Sequence, residues 1–205
     1  MRRRNYFSAA ALVAIAAPLR PAPLRVRRAT RYAVNGAAAP QHDDDVYDVA
    51  ICGAGPAGLA TAAECAARGL KVCVADPALG RDWPNNYGVW VDEFEAMGLE
   101  DCLEKVWPRA EVFLGLGPDT NAAKELRRPY GRVNRVKLKA RLQAECEAAG
   151  VQLRAEKGLS VRHGGGRSTV SLSDGSEITA RLVADATGHA RKLVEFDEEF
   201  DPGYQ

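Results

Sequence analysis

The sequence predicts an α/β domain with a parallel sheet that begins near residue 46, and three observations support this fold class. A short apolar run, Val46–Cys52, is followed at once by a glycine-rich loop and an alanine-rich segment. A second short apolar run, residues 71–75, comes next and ends at an acid, Asp76. The order of strand, loop, helix and strand is that of a βαβ unit. A length of 205 residues suits one such domain with an appendage.

The elements of this unit follow from residue type. Val46–Cys52 (VYDVAIC) is a β-favouring apolar run of the kind that forms a buried strand of a parallel sheet. Residues 61–69 (TAAECAARG) are rich in alanine and glutamate, which favour helix, and Gly69 is placed to end that helix. Residues 71–75 (KVCVA) then form the second strand, and Asp76 stands at its end.

The glycine loop before the helix has the spacing of a dinucleotide-binding site. In such a loop Gly53 permits the tight turn, Gly55 lets the backbone approach a pyrophosphate, and Gly58 lets the helix approach the strand. The helix N-terminus offers N–H groups to the phosphates. Asp76 can accept hydrogen bonds from ribose hydroxyls and disfavours NADP. A turn without a ligand is the alternative. The loop residues expected at the cofactor are Gly53, Ala54, Gly55, Pro56, Ala57 and Gly58.

A second element, late in the chain, has the character of a flavoprotein cofactor site. Residues 170–180 hold two alternating β-like runs joined by the turn dipeptide Asp174-Gly175, which predicts a β-meander. The strand that follows ends in the sequence DATG. This segment and the loop sequence GAGPAGLA resemble the corresponding segments of FAD-binding flavoproteins, in which such a turn lies near the cofactor. The resemblance implies FAD; a plain strand exit is the alternative. The cofactor-site residues expected here are Asp185, Thr187 and Gly188.

The first 45 residues have the composition of a targeting leader and linker. Residues 1–6 are basic, residues 7–17 form a short apolar run, and small residues follow, which is the layout of a secretory signal. The apolar run is about half the roughly 20 residues of a membrane-spanning helix. Residues 19–40 are rich in Arg and Ala and lack acids, as in a transit peptide. We therefore expect a plastid protein; a disordered tail without a targeting function is the alternative.

Charge and cysteine content argue against several other classes of function. Residues 1–42 carry eight arginines and no acid, so the net charge of +1 leaves −7 for the remainder, and nucleic-acid binding is not expected. The five cysteines include no CxxC pair, which favours buried thiols over a disulfide framework or a zinc site. The run 42–45 (HDDD) is interpreted as a solvated linker, and His163 and His189 stand at turns. No metal site is expected.

Two distinctive blocks lie between the cofactor elements. Residues 83–94 (WPNNYGVWVDEF) are predicted to form a loop and a short amphipathic segment that ends near residue 98. Their aromatics either pack the loop onto a core, which we favour, or line an apolar ligand channel. Residues 130–135 (YGRVNR) lead into a helix whose apolar residues recur at helical spacing. Arg135 at its start either reaches a cofactor phosphate or is a surface charge.

These blocks, in this order and spacing, resemble the lycopene cyclase family over residues 46–205. The resemblance implies one Rossmann-like FAD/NAD(P)-binding flavoprotein domain over those residues, incomplete at its C-terminus. It implies an enzyme of carotenoid biosynthesis that closes the ends of lycopene into rings by protonation and deprotonation, giving an isomer. Reduced FAD is the implied cofactor, with NAD(P)H as an electron source. The implied setting is a plastid membrane surface, where the substrate is dissolved; neither ring type nor oligomeric state is specified.

The catalytic residues are less clearly indicated than the cofactor site. Asp92 and Glu93 are the acids of the most family-specific block and are the candidate proton donors, although we favour a role in holding structure or cofactor. The family's substrate-binding half, with its acidic motifs, would follow the residues present here. We therefore expect that this chain does not cyclise lycopene alone, and turnover by purified residues 46–205 would contradict that expectation.

Three other functions compete with this interpretation. A related xanthophyll-modifying cyclase would share the same blocks. A flavin-dependent hydroxylase or prenyl reductase would share the glycine loop and the DATG turn but not the YGVWVDEF block. A truncated nucleotide-binding protein without catalysis would fold stably without retaining flavin.

Overall fold

The structure, a computed structural model, describes residues 45–113, 123–188 and 193–194. The predicted leader up to residue 44, His189 and the end of the chain lie outside these residues. A 3₁₀ turn occupies Glu100–Cys102. The helices and strands are β1 (Val46–Cys52), α1 (Pro56–Ala67), β2 (Val72–Ala75), β3 (Gly88–Trp90), α2 (Val91–Ala96), β4 (Leu103–Trp107), β5 (Ala110–Phe113), β6 (Ala123–Leu126), β7 (Tyr130–Val133), α3 (Arg135–Ala148), β8 (Gln152–Arg154), β9 (Gly158–Gly164), β10 (Arg167–Leu172) and β11 (Glu177–Asp185).

The described residues form two compact units. The larger unit contains the described residues up to 83 and those from 139 onward, and the smaller unit contains the described residues between 84 and 138. The prediction that residues 46–205 make up one domain stays a prediction.

The larger unit is built on a six-stranded sheet with the strand order β8-β2-β1-β11-β10-β9. The pairs β8–β2, β2–β1 and β1–β11 are parallel, whereas β11–β10 and β10–β9 are antiparallel. The α/β fold class is confirmed, with the predicted βαβ unit as β1, α1 and β2. In the register of the sheet, Cys52 pairs with both Ala75 and Asp185, so the carboxyl ends of three parallel strands meet at one edge.

The core of the larger unit explains the apolar runs in the sequence. On α1, Leu59 and Ala62 are fully buried, and the Cys146 thiol on α3 donates to the Leu59 carbonyl oxygen at 3.3 Å. A separate cluster joins β1 and β2 to the β-meander of β9, β10 and β11. Its members are Ala50, Cys52, Cys73, Ala75, Val170, Leu172, Ile178 and Ala180.

The predicted hairpin in the β-meander is confirmed, with β10 and β11 joined by a tight turn. Gly175 has φ = +84°, in the left-handed region that glycine adopts without strain. The Asp174 carboxylate accepts hydrogen bonds from the Ser176 N–H at 2.9 Å and the Ser176 hydroxyl at 2.6 Å. The Asp-Gly dipeptide therefore fixes this turn in two ways: the aspartate accepts local hydrogen bonds, and the glycine adopts the positive φ.

The smaller unit combines a three-stranded antiparallel sheet, in the order β3-β7-β4, with the two-stranded sheet β5–β6. The predicted amphipathic segment is α2, which buries Val91 and Phe94. The prediction of a loop is wrong for residues 88–90, which pair with β7 as β3. A Cβ atom on Gly88 would lie 2.6 Å from Cε1 of Tyr130, so glycine at this position makes room for the Tyr130 ring. Among the described helices, none combines the length and apolar character needed to cross a membrane.

Candidate functional site

The candidate site lies in the larger unit, at the edge where the carboxyl ends of β1, β2 and β11 meet. Gly53 N–H donates to the Ala75 carbonyl oxygen at 2.9 Å, and Ala186 N–H donates to the Cys52 carbonyl oxygen at 2.8 Å. These bonds attach the glycine loop (53–58) to the end of β2 and the DATG turn (185–188) to the end of β1. Ligands of open α/β sheets bind at this kind of edge.

Two glycines of the loop are packed so closely that a side chain would not fit. Gly53 has φ = +110°, and a Cβ atom there would lie 2.6 Å from the Ala186 carbonyl carbon. A Cβ atom on Gly58 would overlap the Gly53 carbonyl group and lie 3.3 Å from the Ala186 Cβ atom. Both glycines therefore serve the packing of the loop, α1 and β11.

The third glycine, Gly55, faces open space instead. A Cβ atom there would meet no protein atom within 4 Å, and the residue has an ordinary φ of −71°. Gly55 is the N-cap of α1, where no side chain forms a cap hydrogen bond and the first turn holds no acid. The positive end of the helix dipole therefore faces an open space, and a Cβ atom on Gly55 would partly fill that space. This arrangement fits a pyrophosphate.

Asp76 lies where the sequence predicts an acid, directly after β2. Its carboxylate accepts hydrogen bonds from the Ala54 N–H at 2.7 Å and the Ala78 N–H at 2.6 Å, one on each oxygen. Each carboxylate oxygen has a second lone pair, so these bonds leave room for ribose hydroxyls. The structure thus gives Asp76 a role in holding the glycine loop that the sequence did not predict.

The DATG turn is held by its own aspartate. The Asp185 carboxylate accepts hydrogen bonds from the Thr187 N–H at 2.9 Å and the Thr187 hydroxyl at 2.6 Å. Its other oxygen accepts a bond from the Leu193 N–H at 3.2 Å. Gly188 follows with φ = +76°. Asp185 therefore shapes the turn, and what it presents beside the loop is the backbone of Ala186 and Thr187.

Arg135 is the first residue of α3 and belongs to the smaller unit. Its guanidinium group donates to the Pro84 carbonyl oxygen at 3.0 Å and to Asn86 Oδ1 at 3.4 Å. The side chain thus fastens the loop that follows Trp83 and is more than a free surface charge. Its predicted contact with a cofactor phosphate stays a prediction.

Asp92 and Glu93, the candidate proton donors, are both paired with Arg128 in the smaller unit. The Arg128 guanidinium forms a two-pronged contact with the Asp92 carboxylate, with distances of 2.9 to 3.1 Å, and reaches Glu93 Oε1 at 2.8 Å. It also stacks 4.6 Å from the centre of the Trp90 ring. Hydrogen bonding to Arg128 lowers the pKa of Asp92. An exposed carboxyl held in its charged form is a poor proton donor, so the geometry favours the structural role for this pair.

The remaining polar candidates show no metal-binding arrangement. His163 Nδ1 lies 2.7 Å from the Ser168 hydroxyl oxygen, on neighbouring strands of the β-meander. Across residues 45–113, 123–188 and 193–194, no group of three or more His, Cys, Asp or Glu side chains could hold a metal ion.

Sequence reasoning missed two residues at this site. Trp83 Nε1 donates to the Ala54 carbonyl oxygen at 2.9 Å, although the sequence placed Trp83 only in a block of packing aromatics. Lys139 is 5% exposed and lies beneath the turn after Asp76. Lys139 precedes the buried Leu142 and Cys146 by three and seven residues, so the helical periodicity itself places it on the inward stripe of α3.

The fold and the arrangement of the glycine loop are those of the Rossmann-like FAD/NAD(P)-binding flavoprotein fold class. Among solved structures, the chain is similar to halogenase PltM, with a TM-score of 0.54 and 20% identity over 69% of this chain and 34% of that one. It is also similar to a geranylgeranyl bacteriochlorophyll reductase-like protein from Thermoplasma acidophilum, with a TM-score of 0.55 and 19% identity over 69% and 39% of the two chains. At this identity the likeness shows the fold.

The chain belongs to the lycopene cyclase family, whose model, described as lycopene cyclase protein, matches residues 48–205. Over 160 residues the chain is 49% identical to the lycopene beta cyclase, chloroplastic, of Solanum lycopersicum and 50% identical to that of Arabidopsis thaliana. It is also 45% identical over 159 residues to the capsanthin/capsorubin synthase, chromoplastic, of Capsicum annuum. Each alignment covers 78% of this chain and 31% of the relative, so the chain spans about a third of their length.

Proposed function

We propose that this chain is the cofactor-binding part of a plastid lycopene cyclase that uses FAD. The observation that carries the cofactor assignment is the contrast within the glycine loop. Gly53 and Gly58 are closed in by protein backbone, whereas the position of Gly55 is open at the N-terminus of α1. Family membership supports the reaction, and the chloroplastic names of the relatives support the plastid.

In this proposal, different residues at the binding edge of the sheet contact different parts of the cofactor. The N-terminal turn of α1, with the loop Gly53, Ala54, Gly55, Pro56, Ala57 and Gly58, binds the pyrophosphate. Asp76 accepts hydrogen bonds from the ribose hydroxyls through its remaining lone pairs. The turn Asp185, Thr187 and Gly188 lines the cofactor from the β11 side, and Arg135 contributes a positive charge toward a phosphate.

The proposed reaction is an isomerisation of lycopene. A proton adds to a terminal double bond, the resulting cation closes on a neighbouring double bond, and loss of a proton leaves a ring, so no electrons are gained or lost overall. Bound reduced FAD would supply negative charge that stabilises the cation, with NAD(P)H as the proposed source of its electrons. The substrate is dissolved in a membrane, so we propose that the protein works at a membrane surface.

A second candidate function is the modification of xanthophylls rather than lycopene. The support for it is that capsanthin/capsorubin synthases of Citrus sinensis and Capsicum annuum match the chain at 47% and 45% identity, close to the values for the lycopene cyclases. The two candidates share the cofactor site and differ in the carotenoid that the protein accepts.

A chimera tests the proposed reaction. Residues 46–205 replace the aligned 160 residues of the Solanum lycopersicum lycopene beta cyclase in a bacterial host that accumulates lycopene. We expect cyclic carotenes from the chimera and from its Gly164→Ala control, which alters an open glycine on β9, and none from Gly55→Ala. A folded chimera that leaves all lycopene linear contradicts the proposal.

A further inference from the structure

The peptide unit around Ala54, at the centre of the glycine loop, is fixed on both sides. Its N–H group donates to Asp76 Oδ2 at 2.7 Å, and its carbonyl oxygen accepts the Trp83 Nε1–H bond at 2.9 Å. Ala54 itself is 2% exposed. The orientation of the peptide that leads into Gly55 therefore depends on two side chains, of which the glycine-loop fingerprint includes only the acid.

Trp83 can act as a rigid support for the loop because it is itself enclosed. The indole is 7% exposed, and the Lys139 ammonium group lies 5.8 Å from the centre of its ring. A ring enclosed in this way presents its N–H group in one direction, so the hydrogen bond to Ala54 also sets the distance between the loop and the segment after β2.

Lys139 stabilises the turn that follows Asp76. Its ammonium group donates to the Ala78 carbonyl oxygen at 3.1 Å and to the Arg81 carbonyl oxygen. The N–H group of the same Ala78 binds Asp76 Oδ1 at 2.6 Å, so Lys139 secures the turn that carries the acid. A buried ammonium group has a high desolvation cost, and these two carbonyl oxygens and the Trp83 ring offset part of it.

We propose that Trp83 and Lys139 are positioning residues for the dinucleotide. Trp83 holds the Ala54 peptide so that the loop presents its N–H groups to the pyrophosphate, and Lys139 holds the turn that aims Asp76 at the ribose. This inference rests on the proposed function, because it assigns these side chains to the same cofactor site.

The variant Trp83→Phe tests the first half, because phenylalanine keeps the enclosed ring and loses the N–H donor. In the full 205-residue chain without cofactor, we expect amide hydrogen exchange of residues 53–58 to become about tenfold faster, while β10 exchanges as before. One lost hydrogen bond predicts an FAD dissociation constant about tenfold higher. Trp107→Phe, which alters a half-exposed indole on β4, is the matched control and should change neither measurement.

The second variant, Lys139→Met, keeps the length of the side chain and removes its donors. We expect faster exchange in residues 76–81 and a similar loss of FAD affinity. If Trp83→Phe does not fold, this variant alone tests the inference.

Exchange in residues 53–58 and 76–81 equal to wild type overturns the inference. So does a uniform increase across β10 as well, with FAD affinity unchanged, because that is the signature of a purely structural role. Failure of the wild-type chain to bind FAD contradicts the proposed function alone, since the exchange measurement needs no cofactor.

Discussion

Replacing Gly53 and Gly55 separately by alanine should have opposite consequences for stability, although the two glycines stand two residues apart. At Gly53, alanine would occupy a φ of +110°, which costs an L-residue about 1 to 2 kcal/mol. Its Cβ atom would also lie 2.6 Å from the Ala186 carbonyl carbon, so the backbones must separate at a cost of about 1 to 3 kcal/mol. We expect the free energy of unfolding to fall by about 3 kcal/mol.

At Gly55, alanine meets open space and an ordinary φ of −71°. Alanine also restricts the unfolded chain more than glycine does, so we expect a change of less than about 1 kcal/mol, in the stabilising direction. Urea unfolding followed by far-ultraviolet circular dichroism, without cofactor, measures both variants. Equal losses at the two positions, or a larger loss at Gly55, would refute the argument that only Gly53 is needed for packing.

Three further predictions follow from burial and charge. Leu59→Ala removes a fully buried side chain from α1 and should lower the free energy of unfolding by about 3 kcal/mol in the same urea assay, whereas a loss below about 1 kcal/mol would contradict its place in the core. Burial raises the pKa of the Cys52 thiol to about 11, so a thiol reagent at pH 8 should label the half-buried Cys65 first and Cys52 only on unfolding; mass spectrometry of the labelled peptides checks the order. Because Arg128 lowers the pKa of Asp92 below its ordinary 3.8, their ion pair stabilises the fold above that pH and is lost as the pH falls below it. Arg128→Gln should return the pKa of Asp92 toward 3.8 in an NMR titration, and an unchanged value would contradict the pairing.

The βαβ unit was predictable because several independent signals coincide in a few residues. The apolar runs fit buried parallel strands, the alanine-rich segment fits a helix, and the glycines have the spacing of a dinucleotide-binding loop. Asp174-Gly175 likewise specifies its turn locally. In each case the determinant lies within about ten residues of the element that it shapes, so no knowledge of distant contacts was required.

The strands of the smaller unit carried weaker signals. On β4 four of the five residues are exposed, and on β6 (AKEL) three of the four are exposed, so neither shows the apolar alternation by which a half-buried strand is recognised. Their pairing with partners elsewhere in the chain, such as β4 with β7, determines their conformation instead.

The site residues also include some that the sequence predicts and some that only the folded structure reveals. The loop glycines and Asp76 are marked by spacing, whereas Trp83 and Lys139 reach the site from 29 residues after Ala54 and 61 residues after Ala78. Only the folded chain brings these groups together. The pairing of Asp92 and Glu93 with Arg128, 36 and 35 residues away, is also invisible in the sequence, and it lowers the pKa of Asp92.

The most direct test of the central claim is a titration of the 205-residue chain with FAD, followed by the quenching of flavin fluorescence. Wild type and Gly164→Ala should bind FAD with the same affinity. Gly55→Ala, although as stable as wild type, should bind at least tenfold more weakly, because its methyl group occupies the space in which the pyrophosphate would lie. Equal FAD binding by all three proteins, or by none of them, would contradict the assignment of the open position at Gly55 to the cofactor.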